Sequence, residues 1–189
     1  MSCTLPTAVI RALREPVLTA GDFTPMKFTP ADTKAWFANH FMRFVSSDFP
    51  RHHFTLRFYR QVMHTFGHIA HYDAAGYWAE FFTSTTGKIE FIEQAVHHPC
   101  YGDPTHTFSD VEREIARRLR QVRLLDLYRE RAQADRDAAE RAEFARLKAR
   151  FEPADMLAPA SAPIPPPVPP AGRSGRKPAP VAQLAFAIG

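Results

Sequence analysis

The chain has 189 residues, of which 45% are hydrophobic, and a formal net charge of +4 at neutral pH. This length suits one domain with appendages, and the hydrophobic share excludes a chain that is disordered throughout. Two cysteines, Cys3 and Cys100, exclude a disulfide framework and favour a reducing compartment.

The predicted elements begin with an N-terminal arm. Residues 1–29 contain prolines at positions 6, 16 and 25 and are expected to be extended, with at most two turns of helix. Thr29-Pro30 is typical of a helix start, so a helix is predicted over residues 30–46, with phenylalanines on one face. Asp48-Phe49-Pro50 is expected to break the chain after it.

A second helix is predicted from Arg51 or His53 to Tyr72, because apolar residues recur there at helical spacing. Residues 73–76 are predicted to interrupt the helix, and a short helical stretch follows them. Residues 84–86 then offer caps for a third helix that reaches about His97. We expect nearly all the phenylalanines of these segments to lie in the core.

A long final helix is predicted after a loop over residues 98–106. Ser109 and Glu112 have the spacing of a capping box, which predicts a helix that starts at Ser109 and reaches about Phe151. Its apolar stripe ends at Tyr128. Beyond this point charged residues and alanine dominate, so residues 129–151 are expected to form a solvated extension.

These elements predict an all-α fold, a compact irregular bundle of four to five helices over residues 30–128. Residues 152–189 form a proline-rich tail that is expected to be disordered, since ten of the seventeen prolines lie between positions 153 and 180. The tail ends in a short apolar segment. We interpret it either as a tether that presents a docking peptide or as a frayed terminus.

Targeting signals are absent from these predicted elements. Arg11 and Arg14 interrupt the segment that would form the core of a signal peptide, and no apolar run approaches the ~18 residues of a membrane-spanning helix. We therefore expect a cytoplasmic protein without membrane insertion. Arginine outnumbers lysine 19 to 5, which favours a bacterial source.

The polar face of the second helix is the most informative feature of the sequence. No acidic residue occurs between positions 49 and 72, so this face is positively charged and gains charge below about pH 6.5. Such a face suits phosphate or carboxylate groups of a partner, although it could also be solvated or paired with Glu90 and Glu93. The predicted partner-binding residues on it are His53, Arg57, Arg60, His64, His68 and His71.

Three of these histidines also have the spacing of metal ligands. His64 and His68 are one helical turn apart, which suits zinc, and His71 lies further along the same face. The glutamate that zinc proteases carry beside the first histidine is absent.

A second basic cluster is predicted in the first half of the final helix. Arg113, Arg117 and Arg120 share one side and could follow a phosphate backbone, or could form a solvated face. The preceding loop gathers Cys100 with several histidines, but we expect a rigid connector there and predict no catalytic residue.

We therefore expect a small bacterial helical interaction protein, accessory or regulatory, rather than an enzyme. It would bind an acidic partner, protein or nucleic acid, through the two basic clusters and would need no cofactor. The alternative is a metal-dependent protein, such as a hydrolase, with zinc at His64, His68 and His71.

Overall fold

A computed structural model describes residues 5–66, 73–97 and 102–151, and these residues are mainly helical. They contain no β-strand, which confirms the predicted all-α class. Two short 3-10 turns, Ala20–Asp22 and Arg51–His53, accompany the helices. The seven helices are α1 (Thr7–Arg14), α2 (Ala31–Ser46), α3 (Leu56–Phe66), α4 (Ala74–Phe82), α5 (Thr85–His97), α6 (Ser109–Gln121) and α7 (Leu124–Phe151).

The chain divides into two units, residues 1–147 and residues 148–189. The first contains the core. Of the second, only residues 148–151, the last of α7, are described, so the predicted disordered tail lies outside the described residues. None of the described helices is both long enough and apolar enough to cross a bilayer.

Phenylalanine dominates the core. Helix α2 lies at its centre, with Phe37, Phe41 and Phe44 fully buried. Phe41 stacks on Phe91 of α5 with ring centroids 5.8 Å apart, a separation at which aromatic pairs contribute about 0.5–1.5 kcal/mol beyond their burial. The interpretation of these residues as core is confirmed.

The N-terminal segment contains the helix of up to two turns that was expected there, α1, and it also packs on the core, which its prolines did not indicate. Leu13 in α1 is fully buried, and Leu18 and Phe23 are nearly so. The backbone of Leu18 exchanges two hydrogen bonds with the side-chain amide of Asn39 in α2. These apolar side chains pack because α2 offers both an apolar surface and a polar partner for the backbone.

The predicted single helix from Ser109 to Phe151 was wrong, because the chain turns between α6 and α7. Arg123 adopts a left-handed conformation with φ of 52°. The turn lets Leu119, before it, and Leu124, after it, both remain buried. The predicted capping box was also wrong, since α6 has no side-chain cap and the Ser109 hydroxyl donates instead to the carbonyl oxygen of Gly102.

Two local features hold the remaining helices. Asp48, in the predicted break after α2, accepts hydrogen bonds from Lys88 Nζ and from the hydroxyl of Tyr128, both at 2.9 Å. It therefore ties α5 and α7 to the end of α2. A Cβ atom at Gly87 would lie 2.3 Å from the carbonyl oxygen of Glu80, so glycine is required where α5 crosses α4.

Candidate functional site

The candidate site begins with a turn that precedes α3. The predicted start of the second helix at Arg51 or His53 was wrong, because residues 51–53 form a 3-10 turn. Helix α3 starts after it, where the hydroxyl of Thr55 accepts a hydrogen bond from the backbone N–H of Phe58 at 3.2 Å. His53 therefore lies on the turn and not on the helix.

Helix α3 separates an apolar face from a basic one. Phe58, Val62 and Phe66 are fully buried. Positions 57, 60 and 64 fall on the opposite side, and all three side chains are exposed. We name Arg51, His52, His53, Arg57, Arg60 and His64 together the basic face.

Arg57 is held over an indole ring. Its Cζ atom lies 4.0 Å from the ring centroid of Trp36, a half-buried residue of α2. At this distance the guanidinium covers the ring and gains a cation–π attraction. Neither Arg57 nor Arg60 forms an ion pair with any residue that the structure describes, so their N–H donors remain for a ligand.

Arg51 repeats this arrangement on the other tryptophan of the chain. Its Cζ atom lies 4.8 Å from the ring centroid of Trp78 in α4, and its Nη1 donates to the carbonyl oxygen of Phe54 at 3.2 Å. The sequence did not identify Arg51 or either tryptophan as site residues. The sequence carries no signal for them, because each tryptophan belongs to a different element from its arginine and no spacing rule links the two residues.

A row of rings continues from Trp36. The ring centroids of Trp36 and His40 are 5.4 Å apart, those of His40 and His53 are 5.6 Å apart, and those of His53 and His52 are 4.4 Å apart. The Nε2 atom of His40 donates to the carbonyl oxygen of His53 at 2.9 Å. This hydrogen bond holds the His40 ring against the 3-10 turn Arg51–His53. The row therefore joins the turn to the Arg57–Trp36 pair.

Within this row, the pKa of His53 is shifted from its ordinary value. Burial lowers its pKa, and the nearby His52, His40, Arg43 and Arg14 lower it further. Its Nδ1 atom is buried and has no hydrogen-bond partner among the described residues. His53 is therefore neutral at pH 7 and gains charge only in more acidic solution.

The arginines of α6 have different surroundings. Arg118 is 2% exposed, and it donates to the carbonyl oxygens of Leu13 and Pro16 at 2.9 and 2.8 Å. It also forms an ion pair with Glu114 at 2.8 Å. Arg117 donates to both oxygens of the same carboxylate at 2.7 Å, and these hydrogen bonds are the main reason that the pKa of Glu114 is lowered.

Arg113 and Arg120, the other predicted residues of this cluster, are exposed. Arg113 and Arg117 line a cleft of about 390 Å³ between α6 and the N-terminal segment. The same cleft is lined by three carboxylates, those of Asp22, Asp110 and Glu114. Its charge is therefore mixed, unlike that of the basic face.

The predicted zinc ligands are described only in part. The exposed His64 packs its ring edge-on against Phe108, with centroids 5.4 Å apart, while His68 and His71 lie outside the described residues. Residues 5–66, 73–97 and 102–151 contain no group of three or more side chains suited to hold a metal ion.

The loop before α6 is described from residue 102 onward, so Cys100 also lies outside the described residues. Asp103 accepts hydrogen bonds from the backbone N–H and the hydroxyl of Thr105, both at 2.8 Å. Asp103 therefore stabilises a turn within this loop. These bonds, led by the backbone one, lower the pKa of the Asp103 carboxyl.

Comparison of the chain with protein-family models, with curated proteins and with solved structures finds no match. Function must therefore be inferred from the arrangement of this chain's own side chains.

Proposed function

We propose that the protein is a helical interaction protein that binds an acidic partner through the basic face. The observation that carries the proposal is the Arg57–Trp36 pair, an arginine that lies over an indole ring at 4.0 Å and forms no ion pair with any residue that the structure describes. A partner's anionic group would displace no carboxylate there. Since the ring already restrains the side chain, binding would also cost less of the roughly 0.5–1.5 kcal/mol that ordering a long side chain requires.

The rest of the basic face supports the same role. Arg60 and His64 follow Arg57 at one-turn steps on the exposed side of α3, and the chain from residue 49 to residue 72 contains no acidic residue. A surface of one charge sign attracts oppositely charged partners over a distance of about 8–10 Å at physiological salt.

The α6 cluster has a secondary role in this proposal. Arg117 would have to give up Glu114 before it could contact a partner, and Arg118 is buried. Arg113 and Arg120 are exposed and can add long-range attraction. Zinc binding at His64, His68 and His71 stays a prediction, which the metal content of untagged protein tests.

The proposal is tested with two anionic probes, a single-stranded oligonucleotide and poly-glutamate, by fluorescence anisotropy at several salt concentrations. We expect affinity for at least one probe to fall steeply with salt. The double variant Arg57→Glu/Arg60→Glu should bind that probe at least about tenfold more weakly. If that probe is the oligonucleotide, the slope of log affinity against log salt should become less steep by about 1.4, because each of the two lost phosphate contacts contributes about 0.7 for a single strand.

The matched control is Arg136→Glu/Arg141→Glu, which changes net charge equally at two exposed positions of α7. It should retain nearly all of the affinity. Equal losses in the two double variants, or no binding to either probe, would contradict the proposal.

A further inference from the structure

We infer that the acidic partner is a single-stranded nucleic acid, whose bases stack on the two arginine–tryptophan pairs while its phosphates contact the free arginine donors. This inference rests on the proposed function and assigns its partner.

The two arginine–tryptophan pairs share one geometry. The chain has two tryptophans, and an arginine of the same short segment, residues 51–57, covers each of them. A guanidinium held over a ring offers its outer plane and its N–H edges to solvent. Unpaired bases stack on such planes, and phosphates accept from such edges, so one arginine serves both parts of a nucleotide.

A row of aromatic rings lies beside Arg57. Trp36, His40 and His53 are half-buried and His52 is exposed, so each residue keeps part of its surface in solvent. Single-strand binders combine a basic track with aromatic rings on which successive bases stack. The row supplies such rings along the same face that carries the free arginine donors.

An acidic protein would fit this surface less well than a single-stranded nucleic acid. Carboxylates would pair with the arginine edges but would leave the ring row uncovered, because a carboxylate has no extended π surface. A nucleic-acid base, in contrast, can stack on a histidine ring whether that ring is neutral or protonated. The coincidence of stacked arginines with neighbouring partly exposed rings therefore favours a polymer that carries phosphates and flat bases together.

Duplex DNA would also fit this surface less well than a single strand. The bases of a duplex are already stacked on one another, so they cannot stack on arginine. A helix-turn-helix joins its two helices by a turn of about three to four residues. Helices α2 and α3 are instead joined by residues 47–55, which include the 3-10 turn Arg51–His53. The connection does not present α3 as the second helix of that motif.

The experiment compares a 15-nucleotide oligo-deoxythymidine with an abasic strand that has the same number of phosphates. Anisotropy should show about tenfold tighter binding of the thymidine strand, because only this strand can stack. It should also quench tryptophan fluorescence, and the abasic strand should not. A 15-base-pair duplex and poly-glutamate complete the set of probes.

Arg57→Lys separates charge from stacking, since lysine keeps the charge but has no plane. This variant should bind the abasic strand like the unaltered protein and lose several-fold affinity for oligo-deoxythymidine. Arg141→Lys, an exposed position of α7, is the matched control and should change neither affinity. The urea midpoint of each variant checks that it is folded.

The outcomes distinguish the two proposals. Equal, salt-dependent affinity for the thymidine and abasic strands would overturn base stacking and leave the acidic-partner proposal standing. Tighter binding of poly-glutamate would indicate an acidic protein, and tighter binding of the duplex would indicate double-stranded DNA. Binding of none of the four probes would overturn both proposals.

Discussion

Two arginine-rich segments of this protein look alike in sequence and have different environments in the structure. In the basic face, Arg51 and Arg57 lie over tryptophans. In the α6 cluster, Arg117 and Arg118 share the carboxylate of Glu114. The density of arginine is similar in both segments, so density alone does not indicate where a partner binds.

The difference arises from acidic residues at helical spacing. Glu114 precedes Arg117 by three positions and Arg118 by four, which places all three side chains on one side of α6. No acidic residue stands within a helical turn of Arg57 or Arg60. An arginine cluster without a carboxylate three or four positions away is thus the better candidate for binding.

The largest loss of stability is expected from replacing Arg118, the arginine of α6 that is buried in the core. Arg118→Leu should lower the free energy of unfolding by about 3–5 kcal/mol, because it leaves the carbonyl oxygens of Leu13 and Pro16 without their donor and Glu114 without one of its partners. Urea unfolding measures this loss. Arg117→Leu, whose arginine side chain is 57% exposed, should cost less than about 1 kcal/mol. Similar losses in both variants would show that the two arginines are equivalent.

A smaller effect should follow when the basic face receives the carboxylate that it lacks. Gln61→Glu places an acid four residues after Arg57 and should weaken binding of a single-stranded oligonucleotide about tenfold, or 1.4 kcal/mol, by pairing with that arginine. Gln121→Glu makes the same change four residues after Arg117, which already pairs with Glu114. It should leave the affinity nearly unchanged. Anisotropy titrations of both variants decide whether local pairing explains the difference between the clusters.

The smallest effect concerns pH, to which the turn that carries His53 should respond. The pKa of His53 is lowered in the folded protein, chiefly by burial, while the unfolded chain keeps the ordinary value of about 6.5. As pH falls through 6.5, the unfolded state binds the proton first, so the folded state loses stability until pH reaches the lowered pKa. His52, His40, Arg43 and Arg14 face this group and keep the proton unfavourable.

The unfolding midpoint of the unaltered protein should therefore decrease between pH 7.5 and pH 5, and His53→Gln should make that decrease smaller. His97→Gln, at an exposed position in the last turn of α5, is the control and should preserve the full decrease. A pH dependence that is the same in all three proteins would argue against this role of His53.

Much of the fold could be predicted from local chemistry. Helix α5 starts at Thr85, within the predicted capping residues, and Ser84 accepts a hydrogen bond from the backbone N–H of Gly87 at 3.0 Å as a cap does. The break at Arg123 could not be predicted, because no glycine or proline stands there. It is set by the burial of Leu119 and Leu124 on both sides of the turn, which depends on tertiary packing.

Only the positive charge of the candidate site could be predicted from the sequence. The spacing of Arg57, Arg60 and His64 follows from the helical repeat, so their common exposed face was accessible to sequence reasoning. The covering of Trp36 by Arg57 was not, because the two residues belong to different helices and no spacing rule links them. Which helices pack together determines which arginine meets which ring.

The hydrogen bonds of Arg118 also have a consequence for the order of folding. Its Nη1 donates to the carbonyl oxygen of Leu13, 105 residues earlier in the chain. During synthesis at about 5–20 residues per second, roughly 5–20 seconds separate the two residues. Helix α1 can meet α2 early, but the carbonyl groups of Leu13 and Pro16 obtain this donor only after α6 has been made. Residues 13–16 therefore gain these two hydrogen bonds only after more than 100 further residues have been made, and forming them closes a long loop.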